Sequence, residues 1–401
     1  MKHQSKILSL ICTALFSGQL LAQTAVNDTI SMGQGYANSV YFNLRNGAKT
    51  TSPISSWHLA HTTVSRDNCI RLNHLNGVDI YAYPNGSNKD FATMDTTGWA
   101  GWKHYYNDIH THELGALNQS INAKDPMDFS WGVYNSTTHE IVGDSLYLMV
   151  INTPSIGKSL LKFMPILQTA TGDLIFRYAS LDNKIDKTDT LKQSNYTGKS
   201  YKYFHFTKGA VQPEPTRDNW DLLFTRYLAP TTPPGGGAMV MYPTMGVESK
   251  RGERVSKITT YTWDVVAANP TQSIAGIKMT GTPAELSKDL TKIGGDWKTY
   301  DGAAMSWTIS TDWNYIVETI RNAGSTKDTS YWMLAFTAFS GSSKGETQLK
   351  RIELKAAAAG ISEAKQFSAK LFPNPTRDLL TVWATGINEM ARVQIVSVDG
   401  R

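Results

Sequence analysis

Hydrophobic positions along the chain occur in short runs whose spacing is that of β-strands. Residues 145–151, 174–178 and 331–339 are rich in aromatic and β-branched residues and are bounded by Gly, Asn, Asp, Pro and Ser. Such runs are typical of strands. Helical spacing is scarce, and its best candidates are residues 102–109 and 283–290. The pattern therefore predicts an all-β protein of antiparallel sheets packed face to face.

Landmarks of these runs occur twice in the same order, which predicts a degenerate duplication rather than a chance coincidence of aromatic strands. The matched pairs are Trp57 with Trp220, Trp102 with Trp297, Trp131 with Trp307, and the strand at Tyr147 with the strand at Tyr315. The spacing between partners varies, so the insertions are unequal. We expect a first half at residues 23–200 and a second half at residues 201–354, either as two domains or as one continuous fold.

The N-terminus has the features of a secretory signal peptide over residues 1–22. Lys2 and Lys6 precede an apolar run from Ile7 to Phe16, and Ala22 offers a cleavage site. The run of about ten residues is too short to span a bilayer, which takes roughly 20. With no longer apolar run elsewhere, we expect an exported protein without a transmembrane segment.

Composition narrows the partners and the source of stability. After the signal peptide, Cys69 is the only cysteine, so no intramolecular disulfide can form. The chain is 41% hydrophobic and 10% aromatic, which is enough for a sizeable core. The formal charge of +5 is spread along the sequence rather than gathered in a basic run, so nucleic acid is not an expected partner.

Three motifs in family order resemble the HmuY-like haem-binding family. They are the Trp-Asp segment at residues 219–227, the Gly-rich segment at 234–239 and the late hairpin at 334–345, with residues 33–42 as the opening strand. The resemblance implies an all-β fold of packed antiparallel sheets. It also implies a non-enzymatic protein that captures haem, free or from haemoproteins, outside the cell for an outer-membrane receptor.

Haem binding requires one or two axial ligands to iron from His, Met, Cys or Tyr. Met239, Met241 and Met245 follow the Gly-rich segment, and strand alternation places Met239 and Met241 on one face. Ordinary core packing is the alternative for these methionines. His58 and His61 are further candidate ligands, although their spacing on a strand points them to opposite faces. The alternative for each is a hydrogen-bonded or exposed histidine that binds no iron.

Other candidate chemistry is weaker. His110 and His112 raise the possibility of zinc or copper, but no carboxylate or thiol stands at a firm metal spacing, so no metal ligand is assigned. The pattern Gly341-x-Ser343-x-Gly345 matches a hydrolase nucleophile elbow, yet an alternating strand pattern follows it and places Ser343 in a hairpin. We expect no enzyme. Eleven tryptophans leave a surface adhesin or glycan-binding protein as the alternative function.

The C-terminal part resembles a type A sorting domain of the type IX secretion system. A small-residue linker at residues 355–368 leads into residues 371–382 and 391–401, which contain Phe-Pro-Asn-Pro and a closing Asp-Gly-Arg. The remaining strands of such a domain do not follow Arg401, so residues 369–401 are interpreted as a partial copy. The resemblance implies recognition by the type IX machinery and delivery through the periplasm to the cell surface or the medium.

Overall fold

The computed structural model describes residues 24–64, 67–154, 156–233, 236–268, 285–323, 326–354, 368–372 and 381–385. Residues 24–355 form one compact unit, and a second unit comprises residues 1–23 and 356–401. The predicted signal peptide and nearly all of the predicted linker lie outside the described residues. Within the described part, no helix is both long and apolar enough to cross a membrane.

Antiparallel strands dominate the described residues, which confirms the all-β prediction. The strands before residue 212 are β1 (Val26–Ser31), β2 (Asn38–Phe42), β3 (Lys49–Pro53), β4 (Leu59–Thr62), β5 (Ile70–Leu72), β6 (Val78–Ala82), β7 (His104–Tyr105), β8 (Gly132–Asn135), β9 (Glu140–Gly143), β10 (Tyr147–Thr153), β11 (Gly157–Gln168), β12 (Leu174–Ser180), β13 (Asp186–Leu191), β14 (Tyr201–His205) and β15 (Gly209–Val211). The later elements are β16 (Leu222–Thr231), β17 (Val240–Ser249), β18 (Arg254–Ile258), α1 (Trp263–Ala268), β19 (Lys298–Asp301), β20 (Ser306–Ile309), β21 (Asn314–Ala323), β22 (Thr326–Phe339), β23 (Glu346–Leu354), β24 (Ser368–Phe372) and β25 (Thr381–Thr385).

The two segments with helical spacing are not α-helices in their described residues. Residues 102–109 contain β7, where Tyr105 is buried between the half-exposed His104 and Tyr106. Alternation between neighbouring residues is the period of a strand and not of a helix.

Each long sheet has a smaller companion sheet of four strands. One long sheet has the order β13-β12-β11-β10-β6-β7, with the β8–β9 hairpin joined to β11, and the other has the order β1-β23-β22-β21-β18. The companion sheets have the orders β15-β14-β4-β5 and β3-β2-β16-β17. The strand order of the first long sheet corresponds to that of the second, and the strand orders of the two companion sheets also correspond. The fold therefore consists of two repeats.

The two largest of the hydrophobic cores define these repeats. One core is drawn from residues 57–211 only, and the other combines residues 30–44 with residues 222–349. We call β4–β15 the first repeat, and β16–β23 together with β1–β3 the second repeat. The N-terminal strands thus complete the second repeat, because β1 pairs with β23 and β2 pairs with β16.

Matched local geometry supports the duplication. Trp57 and Trp220 have nearly the same backbone angles, with φ −149° in both and ψ 162° and 161°. The residue after each tryptophan donates its amide to the carbonyl of Phe204 or Phe42, at 2.8 Å in both repeats. Each indole also meets a tyrosine edge-on, with 5.4 Å between the centroids of Trp57 and Tyr203, and 5.0 Å between those of Trp220 and Tyr41.

The repeats differ from the predicted halves at both boundaries. Strands β14 and β15, which were placed in the second half, belong to the first repeat, and residues 26–53 belong to the second. One landmark pair is also different. Trp131 and Trp297 are both fully buried and directly precede the hairpins β8–β9 and β19–β20, so Trp131 corresponds to Trp297 and not to the partly exposed Trp307.

The predicted sorting domain is described only at two strands. β24 and β25 pair antiparallel, with Leu371 opposite Val382, and the Phe-Pro-Asn-Pro motif begins at Phe372, the last residue of β24. The rest of residues 369–401 lies outside the described residues.

Candidate functional site

A two-stranded arm of the second repeat carries the predicted methionine ligands. β16 and β17 pair over their full length, whereas β2 pairs with β16 only at Leu222–Phe224. Beyond that point no other described strand pairs with β16, over residues 225–231 and their partners 240–246, which together we call the Met arm. Burial decreases from the base of this arm to its tip, so the tip is offered to solvent.

Met241 and Met245 lie on the Met arm at different depths, and Met239 directly precedes its second strand. Met239 is 66% exposed, Met241 is half-buried, and Met245 is 6% exposed within the core of the second repeat. Alternation places Met241 and Met245 on the same face of β17, and Met239 continues that spacing just before the strand begins. Met245 is therefore a packing residue, while Met239 and Met241 are the two that a ligand at the tip can reach.

His58 and His61 lie inside the first repeat and not beside the methionines. Both side chains are fully buried, His58 against the rings of His205 and Phe206. The Nδ1 atom of His58 accepts the backbone N–H of Phe206, and neither ring nitrogen of His61 has a hydrogen-bond partner among the described residues. The five predicted ligands are thus not gathered at one site, and a ligand at the surface cannot reach either imidazole.

Burial keeps both imidazoles neutral. Desolvation, with smaller contributions from His205 and Lys208, lowers the pKa of His58 to about 3. Desolvation likewise places the pKa of His61 well below its usual value, with Lys202 acting in the same direction. These histidines therefore resist protonation in the folded state.

Acidification from pH 7 to pH 5 should destabilise the protein through these histidines. Because the folded pKa lies below the unfolded value of 6.5, the contribution of His58 is complete above pH 6.5 and is lost as the pH falls toward 3. The loss at pH 5 is about 2 kcal/mol for His58, and His61 acts in the same direction. Urea unfolding followed by tryptophan fluorescence measures it. His58→Gln, which keeps an acceptor but cannot titrate, should reduce the pH dependence, whereas the exposed His139→Gln should not. Equal pH dependence in the two variants would show that His58 is not a source of the pH dependence.

An ionic cluster occupies the position in the second repeat that His58 occupies in the first. The fully buried Asp221 accepts the backbone N–H of Leu44 at 2.7 Å and pairs with Arg321 at 2.7 Å. Lys250 lies 3.5 Å from Asp221 and 3.0 Å from the carboxylate of Glu253. The Trp-Asp motif therefore has a structural role in this repeat, because its carboxylate holds the N-terminal segment and two cations together.

A small cavity lies between the companion sheets of the two repeats. Its volume is about 120 Å³, and Trp57 and Tyr203 of the first repeat and Trp220 and Tyr41 of the second line it. The indole N–H of Trp220 has no hydrogen-bond partner among the described residues. Pockets for drug-sized ligands are roughly 300–1,000 Å³, so this cavity fits a few water molecules rather than a porphyrin.

The histidine pair considered for zinc or copper does not converge. The exposed His110 contacts Asp289, with 3.0 Å between Nδ1 and Oδ2. The ring of His112 instead bridges the hydroxyl of Tyr201 and the carbonyl of Ser249, each at 2.9 Å. The two imidazoles therefore have separate partners.

A different histidine pair does converge, on a carboxylate that sequence reasoning missed. His74, Asp79 and His104 offer ligand atoms that all lie within 4.8 Å of one another. Burial alone would raise the pKa of Asp79, but the hydrogen bonds from His104 and His74 outweigh it and hold the pKa below its usual range. The signal available in the sequence was strand alternation, which puts Asp79 and Tyr81 on one face of β6. The pairing register of β6 with β7, which brings His104 beside Asp79, does not follow from that alternation.

The apparent nucleophile elbow lies in a hairpin, as predicted. A single 3-10 turn at Gly341–Ser343 connects β22 to β23, and the Ser343 hydroxyl donates to the carbonyl of Ser340 at 3.1 Å. No helix follows the serine, since β23 begins at Glu346.

Comparison with protein-family models, with curated proteins and with solved structures found no match to this chain. The fold defines a duplicated antiparallel β-protein, and the resemblance to the HmuY-like family stays a prediction from its motifs.

Proposed function

We propose that this protein captures haem at the Met arm, as a binding protein and not as an enzyme. The observation that supports this is the exposure of Met239 and Met241 at the tip of a two-stranded arm that extends past its neighbouring strand. Core packing explains Met245 but not Met239, whose side chain contributes little to either hydrophobic core.

The composition of the arm suits a flat, apolar ligand. Val240 and Tyr242 on the other face are also exposed, so apolar groups occupy both faces near the tip. Exposed apolar surface of this kind is typical of sites that bind a ligand or a partner. A porphyrin laid against the arm would remove these side chains from water, which supplies binding free energy in proportion to the area buried.

The donors fit haem iron better than they fit hard cations. Thioethers are soft ligands that haem iron accepts at an axial position. Arg226 is the only charged residue of the arm and forms no ion pair within the described part of the chain. At the base of the arm it supplies a positive charge for a haem propionate. One arm thus carries an axial donor, an apolar surface and a cation.

A haemin titration followed by visible absorbance tests the proposal. The protein should shift the Soret band saturably, and the double variant Met239→Ala, Met241→Ala should weaken binding at least about tenfold, or 1.4 kcal/mol. Met305→Ala is the matched control, because Met305 is 79% exposed on the turn of another hairpin.

Two results would overturn the haem proposal. One is the absence of a saturable Soret shift with the unmodified protein. The other is a double variant that binds haemin as tightly as Met305→Ala does, because surface adsorption would then account for the shift.

Glycan binding is a second candidate, favoured by an exposed aromatic pair on the β19–β20 hairpin. Tyr300 and Trp307 are cross-strand partners that are 50% and 36% exposed, with 5.1 Å between their ring centroids. Exposed aromatic faces are surfaces on which sugar rings stack. Binding to a polysaccharide that Tyr300→Ala abolishes, without any response to haemin, would favour this function.

The two terminal resemblances support a place of action outside the cytoplasm. With a signal peptide at residues 1–22 and a sorting domain at residues 369–401, the protein would cross the periplasm and meet the type IX machinery. It would then bring haem to an outer-membrane receptor from the cell surface or the medium.

A further inference from the structure

Three ligand atoms converge on the outer face of β6 and β7 in the first repeat. The Oδ1 atom of Asp79 lies 3.1 Å from Nε2 of His104 and 3.4 Å from Nδ1 of His74. Both imidazoles therefore contact the same carboxylate oxygen. These three residues are far from the Met arm in the sequence.

The distances are compatible with ligands of one ion as well as with hydrogen bonds. Hydrogen bonds of the N–H···O type cluster near 2.9–3.0 Å. Ligand atoms at about 2.0–2.1 Å from a tetrahedral ion stand roughly 3.3 Å apart. The separations of 3.1 and 3.4 Å lie on either side of that spacing.

The fold prepares this arrangement from three separate elements. In the antiparallel register Tyr81 lies opposite His104, which makes Asp79 its diagonal neighbour on the same face. His74 reaches the same point from a 3-10 turn that ends at Gly77. Gly77 has φ +65°, and a side chain there would strike the carbonyl of Asn152, so the turn is held in place by the next strand.

Aromatic rings fix both imidazoles. Tyr81 stacks on His104 with 4.5 Å between centroids, and Tyr106 contacts both His104 and His74. The side chain of His74 is nearly buried, whereas that of Asp79 is 37% exposed. The two imidazoles are therefore held in place by their neighbours, and the carboxylate of Asp79 is accessible to solvent.

We propose that His74, Asp79 and His104 bind a divalent transition-metal ion, with a fourth position open to solvent. Two imidazoles and a carboxylate suit zinc, copper, iron or nickel rather than calcium or magnesium. Three protein ligands with one open position are typical of sites that exchange or present a ligand, whereas structural zinc sites are closed by four. The site goes beyond the haem proposal and does not depend on it.

Calorimetric titration with zinc chloride, on protein free of a histidine tag, tests this site. The unmodified chain should bind one Zn²⁺ saturably. Asp79→Asn and His104→Gln should each weaken binding at least about tenfold, since even outer-shell partners change metal affinity by 10–100-fold. His110→Ala is the matched control, because it removes an exposed histidine that also contacts an aspartate.

Loading with Co²⁺ in place of Zn²⁺ gives a second, spectroscopic readout of the same site. Intense visible absorption of the Co²⁺ form is expected for a tetrahedral site with nitrogen and oxygen ligands, and its loss in Asp79→Asn should accompany unchanged circular dichroism. Failure of the unmodified protein to take up zinc saturably would overturn the proposal. Zinc affinity in Asp79→Asn and His104→Gln equal to that of His110→Ala would do so as well.

Discussion

Replacement of Asp221 with alanine should lower the free energy of unfolding by about 3–5 kcal/mol, the range for removal of one partner from a buried ion pair. The fully buried carboxylate accepts from the backbone of Leu44 and pairs with Arg321, and Lys250 stands nearby. Its removal leaves Arg321 without its ion-pair partner and Lys250 with Glu253 alone, in a largely buried site. Denaturant unfolding followed by tryptophan fluorescence measures the loss.

Asp182→Ala is the control for this effect. Asp182 pairs with Lys184 at 3.0 Å and accepts hydrogen bonds within its own turn, but the side chains of the pair are largely exposed, so the variant should lose much less stability. A similar loss in both variants would show that the buried position of Asp221 is not the cause.

A chain that begins at Ile54 should fail to fold its second repeat. The missing segment covers the edge of β23 and lies beside β16. The truncation also removes five core side chains that are 1% exposed or less: Ile30, Met32, Val40, Phe42 and Leu44. Full burial of each contributes about 1.5–3 kcal/mol, and their sum is comparable with the 5–15 kcal/mol by which a typical domain is stable.

A circular permutant separates the loss of these strands from a mere change of the N-terminus. Val26 pairs opposite Arg351, so the start of β1 lies beside the end of β23. In the first repeat, residues 181–185 join the corresponding strands β12 and β13. A linker of similar length from Leu354 to Thr24, with new termini at Pro53 and Ile54, should restore cooperative unfolding. Cooperative unfolding of the second repeat in the truncated chain itself would contradict the prediction that β1–β3 complete this repeat.

Strand alternation could place two of the methionines on one face because it depends only on neighbours in the chain. Met239 and Met241 were predicted on one face, and the structure leaves both accessible at the tip of the Met arm. The same rule could not reveal whether that face is covered. Met245 continues the spacing but lies in the core, since other strands of the second repeat pack over it.

Burial also distinguishes the histidines that a ligand can reach from those that it cannot reach. His58 and His61 looked available on a short strand, yet β4 lies between β5 and β14 and both side chains are buried. His104 meets Asp79 only because β6 and β7 pair in one register, and His74 joins them from the 3-10 turn that precedes β6. A pairing register is a long-range property, and no local pattern encodes it.

The sequence by itself determined the strands, the duplication at Trp57 and Trp220, and the hairpin position of Ser343, because turn residues and a two-residue period act locally. Only the tertiary structure decided that β1–β3 complete the second repeat, where a hydrophobic face near the N-terminus has its partner some 300 residues away. It also decided which donors share a site. Pairing between distant strands sets both, and burial against those strands determines which side chains remain free to bind.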